Sequence, residues 1–322
     1  MNKAPLPFED VKLQIEKAKS ITILSHINPD ADTLGTALGI YALLKKALNI
    51  KIELVNASLA LPRYLDFLPA FKKIKHKMDY TDSLVIICDC GSLDRIGFDL
   101  EGREILNIDH HLSNTHYGQV NVVIPEAASS SYVAYKLFEP YYTINEDAAT
   151  CFYAALLSDT RYFTTTSVNE EVFSVAMSLV KQGAKADEIA YNFTQRRSLA
   201  SIRILERALS SLTLHSDAKI AVQYVSQKDI DETGATMPDV EGIVDYGRSL
   251  ATVQMALFAV EVPHGIRISL RSKSIDITPL ALAFGGGGHK VAVGFTLKNM
   301  TLQESIDTIL EKIEKLGIIH EK

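Results

Sequence analysis

The sequence predicts an α/β protein with a parallel-sheet domain, a helical linker and a smaller α/β domain. Two observations support this prediction. Short apolar runs alternate with helix-like stretches up to Asp109, which is typical of a parallel sheet covered by helices. After a mainly helical stretch, strand-like runs return and alternate with helices again. We place the first domain at residues 1–192, the linker at 193–212 and the second domain at 213–322.

The elements of the first domain follow from the hydrophobic pattern. Short apolar runs bounded by polar residues predict buried parallel strands, and apolar residues three or four apart predict helices. Strands are expected at residues 21–24, 51–55, 84–88 and 104–108, and helices at 10–20, 33–46, 131–140, 147–157, 169–182 and 185–194. Gly35 and Gly39 would let the second of these helices lie close to the sheet.

The second domain is expected to follow a charged helix at residues 197–209, which forms most of the linker. The same patterns predict further elements beyond it. Strands are expected at residues 220–225, 252–260 and 265–270, and helices at 239–249, 278–284 and 301–316.

Composition argues against several classes of protein. The chain has 322 residues and 47% hydrophobic content, enough for two buried cores. A net charge of −6 argues against a broad basic face that would grip long duplex nucleic acid. The three cysteines do not describe a disulfide framework, and the sequence shows neither a signal peptide nor an apolar stretch of bilayer length. We therefore expect a cytoplasmic protein without membrane contact.

Acidic residues and histidines follow three of the predicted strands, at residues 26–32, 89 and 109–111. Because the carboxyl ends of parallel strands share one edge of a sheet, we expect these side chains to converge there. The converging set comprises His26, Asp30, Asp32, Asp89, His110 and His111. A turn at Asn28-Pro29-Asp30, with Asp32 as a helix cap, would explain the first segment alone but not its agreement with two other strand ends.

Such a cluster predicts a metal site. Carboxylates gathered out of water need a counter-charge, and divalent cations supply it. Mixed carboxylate and imidazole ligands suit Mn²⁺, with Mg²⁺, Co²⁺ or Zn²⁺ as alternatives. The number of ligands exceeds what one ion needs, so two ions about 3.5–4 Å apart are favoured, as in hydrolytic two-metal sites.

Asp159 is a further candidate ligand. It ends an apolar, helix-like run, where the helix dipole disfavours a negative charge. Coordination of a second ion would compensate that charge. Pairing with the neighbouring Arg161 explains the residue equally well.

A second candidate site lies in the second domain. The run Gly285-Gly286-Gly287-Gly288-His289 predicts a loop whose backbone N–H groups approach a phosphate, with His289 as a further donor. Arg271-Ser272-Lys273, at a strand end, adds cations and a hydroxyl suited to phosphates or bases. A flexible linker and a solvated strand end are the respective alternatives.

Taken in chain order, these motifs resemble the DHH/DHHA1 phosphoesterases, especially the branch of nanoRNases and pAp phosphatases that includes soluble cyclic-di-AMP and pApA phosphodiesterases. The resemblance covers nearly the whole chain. It is carried by the segment from His26 to Asp32, by Asp89, Asp109-His110-His111 and Asp159, and by the glycine run that ends at His289. It implies a DHH domain that holds two Mn²⁺ ions, a DHHA1 domain that binds substrate and a homodimer.

The resemblance also implies roles for individual residues. One ion would be held by His26, Asp30 and Asp89, and the other by Asp32, Asp89, His110 and Asp159. His111 would contact the scissile phosphate, and Asp109 would orient ligands from behind. The implied substrate contacts are Arg271, Ser272, Gly286, Gly287, Gly288 and His289. Two departures from the family pattern, Thr36 for Ser and Val293 for Ala, are expected not to touch the chemistry.

The activity implied is Mn²⁺-dependent hydrolysis of nanoRNA, pApA, pAp and also cyclic-di-AMP to mononucleotides by a metal-activated water. Three other interpretations compete with it. A family II-like inorganic pyrophosphatase would not need the glycine run, and a RecJ-type exonuclease would need a longer, less acidic chain. A catalytically silent nucleotide sensor would not need a complete set of metal ligands.

Overall fold

The computed structural model describes residues 7–319, apart from the side chain of His289. The chain divides into two compact units between Arg196 and Arg197, and each unit has its own six-stranded sheet. The stretch predicted as a linker, residues 193–212, straddles this division. None of the helices within the described range has the length and apolar character needed to cross a bilayer.

The first unit contains a wholly parallel sheet. Its strands are β1 (Ser20–Ser25), β2 (Lys51–Val55), β3 (Ile74–Lys75), β4 (Leu84–Cys88), β5 (Ile105–Asp109) and β6 (Val120–Val123), in the order β3-β2-β1-β4-β5-β6. The four predicted strands are confirmed. The two edge strands were not predicted, because β3 has two residues and β6 carries a polar residue among valines.

Six helices cover this sheet or pack beside it. They are α1 (Phe8–Lys17), α2 (Ala31–Ala47), α3 (Ser130–Phe138), α4 (Glu146–Asp159), α5 (Glu170–Lys181) and α6 (Ala186–Thr194). All six were predicted within two or three residues. Short polar side chains begin several of them by accepting backbone N–H bonds, such as Asp30 before α2, Ser129 before α3 and Asn145 before α4.

The strand order creates a crevice at one position. The chain moves outward from β1 to β2 and β3, then returns to the other side of β1 to form β4 and β5. Ligands of open α/β sheets bind at such a reversal, beyond the carboxyl ends of the strands. The register aligns Ser25 with Cys88 and Cys88 with Ile108, so these three strands end side by side.

Gly35 and Gly39 serve a different contact from the one predicted. A Cβ added at Gly35 would lie 2.7 Å from the carbonyl oxygen of Cys151, and one at Gly39 would lie 2.5 Å from Cδ1 of Phe152. Both partners belong to α4. The expectation that these glycines bring α2 close to the sheet is therefore wrong, since they bring two helices together.

The second unit is a mixed sheet with helices on both faces. Its elements are α7 (Leu199–Ser210), β7 (Thr213–His215), β8 (Ile220–Val225), α8 (Gln227–Thr233), α9 (Val244–Arg248), β9 (Met255–Val262), β10 (Gly265–Ser272), α10 (Thr278–Ala283), β11 (Gly287–His289), β12 (Ala292–Leu297) and α11 (Leu302–Lys315). The sheet order is β11-β12-β10-β9-β8-β7, and β8 with β9 is its one parallel pair among the described strands.

Alternate residues of β9 build the two cores of this unit. Met255 and Leu257 face α10 and α11, whereas Ala256 and Phe258 face α7 and α9. The linker helix α7 thus packs within the second unit, where Ile204 is fully buried. The helix predicted at residues 239–249 begins only at α9, after a short 3₁₀ turn, and α8, β7, β11 and β12 were not predicted.

Candidate metal centre

Three adjacent strands deliver the predicted side chains to one edge of the first sheet. His26 follows β1, Asp89 follows β4, and Asp109 ends β5 with two histidines directly after it. Helices add two more carboxylates, because Asp32 lies in the first turn of α2 and Asp159 is the last residue of α4. The predicted convergence of the strand ends is present in the structure.

One group of possible ligands forms around His26. Its Nε2 atom lies 3.7 Å from Oδ2 of Asp89 and 4.0 Å from Oδ2 of Asp30. These three side chains bring one ligand atom each within 4.8 Å of one another. That spacing suits a divalent ion placed between them, since coordination draws oxygen and nitrogen ligands to about 2.0–2.2 Å from the metal.

A second group forms around His110. Its Nε2 atom lies 3.6 Å from Oδ1 of Asp89, 3.8 Å from Oδ2 of Asp32 and 3.5 Å from Oδ2 of Asp159. Asp89 therefore presents one oxygen to each group. A third possible set, made of Asp89, His110 and His111, overlaps the second.

Asp30 and not Asp32 caps α2. Its Oδ1 atom accepts the backbone N–H groups of Asp32 at 3.0 Å and Thr33 at 3.1 Å, while Oδ2 is the oxygen nearest His26. The alternative interpretation of Asp32 as the helix cap is thus wrong. One carboxylate starts the helix and lies beside His26 at the same time, so the turn interpretation does not exclude the ligand interpretation.

Asp32 is held from a distant part of the chain. Its oxygens accept the backbone N–H of Ser130 at 2.7 Å, the N–H of Ser131 at 3.2 Å and the hydroxyl of Thr36 at 3.2 Å. Thr36 therefore touches a candidate ligand, contrary to expectation, although serine and threonine both supply the hydroxyl. Ser130 and Ser131 were missed, and the signal for them was the run of serines from Ser129 that starts α3.

The two central histidines present the same ring nitrogen to the carboxylates. Nδ1 of His26 lies 2.9 Å from the carbonyl oxygen of Ile27, and Nδ1 of His110 lies 3.1 Å from that of Ala127. A carbonyl accepts a hydrogen bond only from a ring nitrogen that carries a proton, so Nδ1 donates and Nε2 is the nitrogen that faces the centre. In this orientation Nε2 can ligate a metal ion once its proton has left.

His111 is oriented by Asp109. Nδ1 of His111 donates to Oδ1 of Asp109 at 2.7 Å, and Asp109 also accepts the N–H of His110 and the side-chain amide of Asn114. Burial works to raise the pKa of Asp109, but these donors outweigh it and lower the pKa to about 2. Asn114, which the sequence did not single out, completes this buried arrangement.

If Asp32, Asp89 and Asp159 were all ionised, they would carry more negative charge than the protein compensates. Burial, reinforced by neighbouring carboxylates, raises the pKa of Asp89 well above its usual range, raises the pKa of Asp32 and brings the pKa of Asp159 to about 7. The pKa of His110 rises to about 9, because Asp32, Asp89 and Asp159 together outweigh its burial. A donor set of this chemistry fits divalent cations.

The alternative partner of Asp159 is not found. Within the described residues no ion pair of 4.0 Å or less joins Asp159 to Arg161, whereas Asp159 contacts His110. Arg161 lowers the pKa of Asp159 less than His110 does. The structure therefore groups Asp159 with the other candidate ligands.

The predicted substrate residues of the second unit lie around the ends of β10 and β11. The register places Arg271, Ala292 and His289 in one row across three strands. Ser272 is buried, and its hydroxyl donates to the carbonyl of Ile275. A substrate contact through the proton of Ser272 would require this bond to break. The predicted contact through the side chain of His289 lies outside the described residues.

The glycine run is an ordered turn and strand. The N–H groups of Gly285 and Gly286 donate to carbonyls of α10, at 3.1 Å and 2.9 Å, and Gly287 begins β11. A Cβ added at Gly286 would lie 2.5 Å from the carbonyl oxygen of Gly294. The N–H groups of Gly285 and Gly286 are thus engaged within the protein, and a Cβ at Gly286 or Gly288 would meet β12, so the flexible-linker alternative is wrong. The predicted contact of the glycine segment with a phosphate stays a prediction.

Two family profiles match the chain in the order of its two units. Residues 20–156 match the N-terminal domain of the DHH family, and residues 217–316 match the DHHA1 domain. Together the two matches include every candidate residue except Asp159, which lies three positions beyond the first match.

Two relatives that match over nearly their full length bear the same name. The chain is 28% identical to the bifunctional oligoribonuclease and PAP phosphatase NrnA of Thermus thermophilus, over 97% of this chain and 96% of that protein. It is 25% identical to the protein of the same name from Bacillus subtilis, over 94% and 96%. An exopolyphosphatase-related protein from Bacteroides fragilis has the same fold, with a TM-score of 0.89, 26% identity and 96% coverage of both chains.

Proposed function

Because the chain belongs to the DHH/DHHA1 family, we propose that it is a metal-dependent phosphoesterase that hydrolyses short oligoribonucleotides and pAp to mononucleotides. The observation that carries the proposal is the position of Asp89. Its two oxygens face two groups of ligands, at 3.7 Å from His26 and 3.6 Å from His110. A carboxylate shared in this way is what a two-metal hydrolytic site requires.

We assign two ions to the two groups. His26, Asp30 and Asp89 would hold the first, and Asp32, Asp89, His110 and Asp159 would hold the second. Mn²⁺ is the proposed ion, with Mg²⁺ or Co²⁺ as substitutes, because the ligands are carboxylates and imidazoles without thiolates. When bound, such ions supply positive charge for phosphate oxygens and lower the pKa of water.

The protein's own residues arrange the substrate around this centre. Since Nδ1 of His111 is engaged with Asp109, the proposed contact with the scissile phosphate is made through Nε2. Through that nitrogen His111 would contact a non-bridging oxygen while negative charge develops there. Asp109 would hold the ring of His111 in place, because the low pKa of its carboxyl group keeps it a hydrogen-bond acceptor.

The second unit is proposed to bind the nucleotide part of the substrate. Arg271 can pair with a phosphate, and the edge strand β11, which carries part of the glycine segment, lies on the far side of β12 with His289 in the row of Arg271. A preference for short substrates is expected if the second unit recognises only a terminal nucleotide. The proposed substrates are pAp, pApA and nanoRNA, with cyclic-di-AMP as a further candidate.

A substrate panel tests the proposal. Purified protein with Mn²⁺ would be offered pAp, pApA, cyclic-di-AMP, RNA of graded short lengths and pyrophosphate. We expect release of AMP from pApA and pAp, with rates that fall as RNA lengthens. Exclusive hydrolysis of pyrophosphate would establish the pyrophosphatase alternative, and absence of all turnover would favour the sensor.

Asp89→Ala is the inactive control in that panel. This variant removes the shared oxygens and is expected to lose nearly all hydrolysis of pApA while it remains folded, as circular dichroism would show. Undiminished turnover by this variant would exclude the two-metal scheme. Light scattering on the same sample tests the expected homodimer.

A further inference from the structure

Ser130 connects Asp89, the carboxylate shared by the two ligand groups, with Asp32, a member of the second group. Its hydroxyl donates to Oδ1 of Asp89 at 2.9 Å, and its backbone N–H donates to Oδ2 of Asp32 at 2.7 Å. The residue is fully buried at the start of α3, far along the chain from both partners. A single residue thus contacts acids from two different strand ends.

The orientation of the Asp89 carboxylate needs such a contact. The main chain of Asp89 is fixed, because its N–H donates to the carbonyl of Ile108 at 2.9 Å and its φ of 56° holds an unusual left-handed conformation. The terminal torsion of an aspartate side chain is soft, however, and its energy wells are broad. Backbone geometry alone therefore does not decide which oxygen faces which ligand group.

The hydroxyl of Ser130 donates to the oxygen of Asp89 that faces the second ligand group. Oδ1 of Asp89, the atom that accepts its hydrogen bond, also lies 3.6 Å from Nε2 of His110. The other oxygen, Oδ2, lies 3.7 Å from Nε2 of His26. A donor on Oδ1 keeps the plane of the carboxylate turned so that one oxygen serves each group.

The neighbouring serine provides a natural comparison. Ser131 is equally buried in the same helical turn, but its hydroxyl pairs with the hydroxyl of Ser129 at 2.7 Å. Its own link to the site is the backbone N–H that donates to Asp32. Loss of the Ser131 hydroxyl therefore removes no side-chain contact with a candidate ligand.

From these contacts we propose that Ser130 is a positioning residue that holds Asp89 in the orientation that bridges two metal ions. The inference rests on the metal centre of the proposed function. Residues that orient metal ligands typically contribute about 10- to 100-fold to metal affinity. The hydroxyl of Ser130 would act through its hydrogen bond to Asp89.

Calorimetric titration of Mn²⁺ into chelator-treated protein tests this role. Ser130→Ala is expected to weaken binding of at least one ion by about 10- to 100-fold. Ser131→Ala is expected to bind within about twofold of the unchanged protein. Electron paramagnetic resonance gives a second readout, because a carboxylate-bridged Mn²⁺ pair is exchange-coupled and Ser130→Ala should shift the signal towards isolated ions.

Several results would overturn the proposal. Wild-type affinity and an unchanged coupled spectrum in Ser130→Ala would do so, as would an equal loss of affinity in Ser131→Ala. If Ser130→Ala does not fold, Ser130→Cys takes its place in both measurements with the same expected losses, because it keeps the side-chain shape with a weak donor only.

The test also separates this inference from the proposed function. A wild-type protein that binds no divalent ion would end both. Metal binding that is insensitive to Ser130 would end this inference alone. Metal binding that depends on Ser130, without turnover of any substrate in the panel, would end the proposed function alone.

Discussion

His111 and Asp109 form a hydrogen-bonded pair, with 2.7 Å between Nδ1 of the histidine and Oδ1 of the aspartate. Asp109 belongs to none of the three groups of possible metal ligands among the described residues. Its oxygens are filled by donors from His110, His111 and Asn114, so the carboxylate has an orienting task in this structure. The centre therefore separates residues that can hold ions from residues that orient the ring of His111.

Asp109→Asn tests this separation. An amide at this position would turn an N–H group towards either His111 or Asn114, and one existing donor would lose its acceptor. We expect kcat for pApA to fall roughly 10²-fold, in the range of contributions from positioned proton donors. Calorimetry should show Mn²⁺ affinity within about threefold of wild type. Asp99→Asn, at an exposed position, is the control, and a parallel loss of metal binding would contradict the division of roles.

The pH dependence of stability should reverse when metal is added. In the metal-free protein the pKa of Asp159 is about 7 and that of His110 about 9, and the pKa values of Asp32 and Asp89 are also raised. Between the ordinary pKa values of these groups and their raised values, the folded state therefore binds more protons than the unfolded state. Stability should fall as the pH rises through the pKa values of Asp159 and His110. The lowered pKa of His26 acts in the opposite sense but concerns one group.

Chelator-treated protein is accordingly expected to melt at a higher temperature near pH 5.5 than near pH 8. With saturating Mn²⁺ the order should reverse, since cations replace the bound protons and the ligands must be deprotonated to hold them. Differential scanning calorimetry at both pH values, with and without metal, measures this. A metal-free protein that is most stable at the alkaline value would show that the carboxylates are compensated in another way.

The parts of this molecule that depend on local pattern were predictable, and the parts that depend on distant contacts were not. The runs before His26, Asp89 and Asp109 identified three strands, and the parallel topology then required their ends to meet. Nothing in the sequence joined Ser130 to Asp32 and Asp89, because those contacts span 98 and 41 positions of the chain.

The glycine run shows that one sequence pattern can fit two different structures. Successive glycines suggested an open anion-binding loop, yet Gly286 and Gly288 permit close approach to β12. A run of glycines is expected in the sequence whether the backbone approaches a ligand or another strand. Only the pairing of Gly287 with Gly294 distinguishes the two, and that pairing depends on a strand that the sequence pattern did not reveal.

Arg271→Ala examines the proposed nucleotide contact in the second unit. Charge-assisted hydrogen bonds to phosphate contribute about 1.5–3 kcal/mol, so KM for pApA should rise roughly tenfold or more. We expect kcat to change by less than about twofold, since the residue is proposed to bind substrate before and during reaction alike. Steady-state kinetics with pApA measures both constants.

Arg267→Ala is the matched control for that variant. Arg267 is exposed on the same strand, β10, four residues earlier, and is expected to leave KM unchanged. Ser272→Ala should lower stability by about 1 kcal/mol with little change in KM, because its hydroxyl bonds to Ile275. An equal rise of KM in Arg267→Ala would point to general electrostatic attraction and not to a specific contact.

The contact of α2 with α4 predicts that Gly35→Ala is more destabilising than Gly39→Ala. At Gly35 the added methyl meets the backbone oxygen of Cys151 at 2.7 Å, which can move only with the helix. At Gly39 it meets the ring of Phe152, which has some freedom to turn. Overpacking costs about 1–3 kcal/mol and exceeds the helix-propensity gain of about 1 kcal/mol, so both changes should lower the free energy of unfolding.

Urea denaturation of the two variants measures these losses, with Lys45→Ala on the exposed side of α2 as the control. Replacement of the ring supplies a further check. In Gly39→Ala with Phe152→Leu the methyl gains room, so the double variant should lose less stability than the sum of the two single changes. Gly35→Ala should show no such relief from Phe152→Leu, because its obstacle is the main chain of α4. Equal losses at the two glycines, or a gain of stability at either, would mean that the helices can separate without cost.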